Sequence, residues 1–147
     1  MFGVALAAAK DGGYTAIMVL EIVPIYAAVL GLLYLVLSGR AIRARRAARK
    51  AIGPLDDDAL ERRVRVHANF AEYAPFVLLL LAFAEIREAP AGLIHLACAG
   101  LVVGRLSHAW GVSQTRENFR FSIYGMMATF FALVVAVTLL LASYLFG

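Results

Sequence analysis

The run from Phe121 to Phe146, 26 residues without a charge, most constrains what this chain can fold into. At 1.5 Å per residue, a helix of that length crosses a hydrocarbon layer about 30 Å thick. Inside such a layer, only helices and closed barrels satisfy their own backbone. Three further apolar runs follow the same logic. Tyr14 to Leu37 is 24 residues with one charge, Glu21. Ala74 to Ala84 is apolar but short, and it spans only if its helix begins near Leu60 and takes in Arg65, Asn69 and Glu72. Ala89 to Gly104 contains His95 and spans only by continuing through Arg105 to about Trp110. The expectation is an all-α, polytopic membrane protein with a four-helix bundle. A single membrane domain over residues 1–147 would have helices at about 14–50, 58–86, 90–111 and 119–146.

Composition supports this reading. Hydrophobic residues are 63% and charged residues 16%, against about 45–50% and 25% in soluble domains. A disordered chain, a disulfide scaffold and a two-domain soluble enzyme are excluded. The lone cysteine, Cys98, has no internal partner and is expected to be a small buried side chain. The net charge of +4 reflects membrane topology rather than nucleic-acid binding, because eleven of the fourteen Lys and Arg fall in or beside two connections. Arg40, Arg43, Arg45, Arg46, Arg49, Lys50, Arg62, Arg63 and Arg65 flank the first of these, and Arg116 and Arg120 the third. The basic side is expected to be cytoplasmic, with both termini on the other side. The stretch SGRAIRARRAARK should extend the first helix beyond the membrane until Gly53-Pro54 stops it. Asp58 and Glu61 then read as a capping box that opens the second helix.

Polar residues converge at one depth. Arg65, Asn69 and Glu72 lie on one face of the second helix at i, i+4, i+7. Arg105 and His108 end the third helix, and Arg120 and Tyr124 open the fourth. All three sets lie in the cytoplasmic third, where ionisable groups face a bundle interior, a partner or a water-filled cavity. Together they would line a pocket of net positive charge, suited to an anionic ligand. The same residues could instead pair with one another and hold helices together. His67, His95 and His108 lack ligand spacing, so no metal site is expected. Glu21, about two turns into the first helix, could pair with His95 at a similar depth in the third; it could also stay protonated or face a subunit interface.

The string ERRVRVHANFAEYAP, Glu61 to Pro75, resembles the second-helix signature of the membrane-associated proteins in eicosanoid and glutathione metabolism (MAPEG). The signature positions are Arg65, Asn69, Glu72, Tyr73 and Pro75. LVVGRLSHAWG, Leu101 to Gly111, is similar to the end of the family's third helix. The likeness covers about residues 14–145 and is nearest to the small bacterial branch. It implies a homotrimer in the bacterial inner membrane, with glutathione as co-substrate between neighbouring protomers near the cytoplasmic face. On this resemblance Arg65, Asn69, Glu72 and Tyr73 bind glutathione, with Glu72 on its amino group and Arg65 on a carboxylate. Arg105 and His108 join the binding set, His108 matching a position that is His or Tyr in the family. Arg120 matches the arginine that stabilises the thiolate, Tyr124 matches a nearby tyrosine, and Arg40 or Arg43 could contribute. Val112 stands where the eicosanoid enzymes carry a tyrosine, and Ala68 where one branch has a second arginine. The implied activity is a glutathione transferase or peroxidase acting on lipophilic electrophiles that arrive among the membrane lipids. The alternatives are a non-catalytic trimeric protein that binds lipid or glutathione and, third, a transporter, for which four spans without interrupted helices leave little room.

Overall fold

A computed structural model of the chain describes residues 20–49, 57–114 and 118–146. Four helices account for nearly all of them: α1 (Val23–Ala47), α2 (Asp58–Ile86), α3 (Ala91–Ser113) and α4 (Phe119–Leu145). All four are long and apolar enough to cross a membrane. Their outward faces carry large apolar side chains such as Leu32, Phe131 and Val134, which hydrocarbon solvates without cost. The core is built largely from small residues, with Ala74, Ala84, Ala97, Ala132 and Ala136 almost wholly buried. Small side chains are what helices need to approach closely where no hydrophobic effect drives them together. α2 packs against all three other helices, α3 and α4 share the most extensive contact, and α1 leans on α2 and α3 at the far side.

The first helix departs from expectation. Leu20, Glu21 and Ile22 are not helical, and α1 begins at Val23 with Pro24 in its first turn. The expected start at residue 14 falls outside the described residues. Two causes are visible. Pro24 has no N–H and suits a first turn, where none is needed. The carboxylate of Glu85, near the end of α2, accepts from the N–H groups of Glu21 (2.7 Å), Ile22 (2.6 Å) and Val23 (2.8 Å). An anion at the positive end of a helix dipole is favourable, and charge-assisted bonds of this kind are the strong ones. Glu21 therefore lies before the helix, not two turns into it, and does not pair with His95. His95 Nδ1 instead meets the Tyr26 hydroxyl at 3.0 Å.

At its other end α1 carries the basic stretch as a helix as far as Ala47 and turns off through Arg49, whose φ is 51°. The helix thus stops before residue 50; Gly53 and Pro54, the expected stop, lie outside the described residues. α2 is capped one residue earlier than predicted. Asp57, not Asp58, is the N-cap, its side chain accepting from Ala59 N at 2.8 Å. α2 ends in a left-handed turn at Glu88 (φ 59°), where Ala89 N reaches back to Ala84 O at 3.0 Å. Pro90 then opens α3.

Candidate functional site

The end of α1, the start of α2, the end of α3 and the start of α4 share one side of the bundle. On that side α2, α3 and α4 enclose a groove of about 440 Å³, a size typical of small-molecule sites. Arg65, Asn69 and Glu72 line it from α2, as their spacing requires, together with Ala68, the first-turn residues Asp58 and Glu61, and Arg62. His108 and Val112 line it from α3 and Ser122 from α4.

The α3 and α4 wall is set by glycines. A Cβ added at Gly125 would lie 2.5 Å from the His108 backbone nitrogen and 2.6 Å from the Gly104 carbonyl oxygen. One at Gly111 would lie 2.6 Å from Ser122 N. Backbone against backbone at this separation brings His108 to Ser122. His108 Nδ1 lies 3.2 Å from the Ser122 carbonyl oxygen and 3.4 Å from Ser122 Oγ, so either tautomer has a hydrogen bond to Ser122. That bond fixes the imidazole against the groove wall.

The other residues expected at the site lie elsewhere in the chain. Arg105 does not reach the groove. It is 1% exposed and lies behind the wall, donating through Nη1 to Asn69 Oδ1 at 2.7 Å. Tyr73 packs edge-on against Phe130 of α4, with centroids 5.5 Å apart. Arg120 and Tyr124 share a face of α4 that points away from the groove, and Tyr124 is 61% exposed. The face of α4 that packs inward is the one bearing Ser122, Gly125, Thr129, Ala132 and Ala136. The expectation of a positively charged pocket is corrected accordingly. The groove carries three carboxylates, Asp58, Glu61 and Glu72, against two guanidiniums, Arg62 and Arg65. Arg65 stands 3.7 Å from Glu61 with its side chain 77% exposed. Such a pair is weak, so Arg65 can exchange it for a ligand carboxylate at little cost.

Sequence reasoning missed Arg62, Glu61, Asp58 and Ser122 as lining residues. The first three follow from continuing the α2 stripe two turns towards its N-terminus, Glu61 and Arg62 in the first and Asp58 in the second. Ser122 is the polar member of the small-residue face of α4.

Comparison with known proteins agrees with the signature on α2. Residues 23–142 match the MAPEG family. The chain belongs to the MAPEG family. Inner membrane protein YecN of Escherichia coli (strain K12) is 33% identical over 113 residues, covering 77% of this chain and 85% of the relative. Inner membrane protein YecN of Escherichia coli O6:H1 matches to the same extent. The family includes glutathione transferases, and the match spans the groove and all four helices. Val112 and Ala68 both stand on the groove wall.

Proposed function

We propose that the protein is a glutathione-dependent membrane transferase or peroxidase acting on lipophilic electrophiles, and that it works as a homotrimer. One observation carries the reading: Arg65, Asn69 and Glu72 line a single groove beside His108, in a chain of this family. Glu72 takes the amino group of glutathione, Arg65 one carboxylate, and Asn69 a further oxygen. The groove of one protomer lacks the positive charge that the tripeptide anion and its thiolate need. The α4 face with Arg120 and Tyr124 supplies it when a second copy docks against the groove, as head-to-tail contacts closing on a three-fold axis do.

The free thiol has a pKa of about 8.5, and the thiolate is the nucleophile. Arg120 holds a fixed cation and Tyr124, one turn deeper, a hydrogen-bond donor. In conjugation the thiol proton leaves to water, an S–C bond forms, and the leaving group departs with its electron pair. With a hydroperoxide the thiolate takes one oxygen as the O–O bond breaks and alcohol leaves; a second glutathione then displaces water and forms the disulfide. The bilayer delivers the apolar partner to a groove that opens at membrane depth.

Glutathione titration of the purified protein tests the site. Glu72→Gln and Arg65→Ala each remove one charged contact, about 1.5–3 kcal/mol, or roughly tenfold to a hundredfold in affinity. Arg65 falls at the lower end because it is exposed. Folded variants that both bind normally would mean that the stripe only holds helices.

The arrangement requires the basic ends of the helices to face the cytoplasm and both termini to face away, in the inner membrane. A cysteine placed at the exposed Ala47, in a Cys98→Ala background, is expected to resist an impermeant thiol reagent in intact cells and to react after lysis. Ready labelling in intact cells would reverse the orientation.

A further inference from the structure

Arg105 poses a problem that the family signature does not answer. It is the largest fully buried side chain of the bundle. Its Nη2 faces the Met126 sulfur at 3.1 Å, and its Nε has no partner. Among the described residues no carboxylate pairs with it. An uncompensated buried guanidinium is expensive, and an apolar side chain of similar volume would join α3 to α2 at lower cost. The one strong bond it makes is to Asn69 Oδ1, at 2.7 Å, and Asn69 lines the groove.

We propose that Arg105 is the positioning residue for Asn69, and that the pair makes this part of the groove selective for a hydrogen-bond acceptor on the ligand. A guanidinium carries donors only, so the Asn69 atom that faces it must be the carbonyl oxygen. The carboxamide is planar, and its NH2 is therefore the group left to the groove. An unrestrained asparagine could rotate and offer either atom. Here a rotated amide would set donor against donor in a low-dielectric interior, where an unmet polar group is costly. The fixed donor is backed by the buried positive charge of Arg105. A carboxylate or peptide carbonyl is favoured at Asn69 and an ammonium is excluded, while Glu72, one turn further along the same face, favours the ammonium. The two positions thus orient an amino-acid-like end of the ligand in one direction only. This rests on the glutathione reading and adds to it the residue that sets the polarity of the site.

The test is glutathione binding to the full chain in detergent, with ultraviolet titration of the bound thiol. Asn69→Asp keeps an acceptor for Arg105, so the bundle persists, but its second oxygen turns a negative charge into the groove. Glutathione affinity is expected to fall at least tenfold. Arg105→Met frees the Asn69 amide, and affinity falls severalfold while the titration of the bound thiol stays as in wild type, because Arg105 does not touch the sulfur. Arg105→Lys, also donor-only, restores most of the affinity. A folded Asn69→Asp that binds like wild type overturns the Arg105 assignment, whether or not Arg105→Met folds. So does a shifted thiol titration in Arg105→Met. A wild type that binds no glutathione overturns the functional reading itself, and this inference with it.

Discussion

Gly125→Leu is expected to take apart the contact between α3 and α4. The new Cβ would fall 2.5 Å from His108 N and 2.6 Å from Gly104 O. Both are backbone atoms, and neither can swing aside as the end of a long side chain could. The helices must separate along the most extensive interface in the bundle. Overpacking a tight core costs about 1–3 kcal/mol, and a four-carbon side chain against two backbones belongs at or above the top of that range. The same shift would draw His108 from Ser122 and open the groove wall. Gly125→Ala should show a smaller loss in the same direction. Gly100→Ala, on α3 where an added Cβ meets nothing within 4 Å, should leave stability within about 0.5 kcal/mol. Denaturation in detergent micelles, followed by helical circular dichroism, reads all three. A Gly125→Leu protein as stable as the wild type would mean that the two helices stand further apart than described.

Arg120→Ala is expected to remove most of the chemistry while leaving most of the binding. If the site lowers the thiol pKa by about two units, it prefers the thiolate by about 2.7 kcal/mol. A bound pKa below the free one means that affinity rises with pH between the two values and levels off above the free pKa near 8.5. Without the guanidinium the bound pKa returns towards the free value, and the slope of affinity against pH flattens. The thiolate fraction at pH 7 drops from most of the bound thiol to about 3%. Below the bound pKa glutathione affinity is nearly kept, because Arg65, Asn69 and Glu72 still hold the peptide; at pH 7 it falls severalfold, and the full loss of about a hundredfold shows only above the free pKa. Arg120→Lys keeps the charge without the planar fork and should retain part of the signal. An unchanged titration in Arg120→Ala would place thiolate stabilisation on another group.

The four helices and their order were legible because membrane depth is written in hydropathy. A run such as Phe121–Phe146 admits no other reading. The side was legible for most of the polar residues: Arg65, Asn69, Arg105, His108, Arg120 and Tyr124 lie in the halves of α2, α3 and α4 that share one side, while Glu72 and Tyr73 stand at the middle of α2. Direction around each helix was harder to read. Arg120 and Tyr124 are at the expected height but on the far side of α4, because Ser122, Gly125, Thr129, Ala132 and Ala136 form its packing face. That small-residue stripe is visible in the sequence at helical spacing, and small residues mark helix contacts in membranes. Long-range pairings were not legible at all. Nothing near Pro24 in sequence indicates that Glu85, sixty residues on, will cap α1. Nothing in the spacing of Arg105 shows that it will hold Asn69 from behind instead of meeting a ligand itself. Both are contacts between helices, decided only when the bundle packs.

The central claim is that the assembled protein binds glutathione as a thiolate. Ultraviolet difference absorbance on adding glutathione to the purified wild-type protein at neutral pH tests it most directly. The account predicts a thiolate band that saturates with binding, disappears on acidification through the lowered pKa, and is lost in Arg120→Ala. Saturable binding with no thiolate band at neutral pH would contradict it and leave a protein that holds the tripeptide without activating its sulfur.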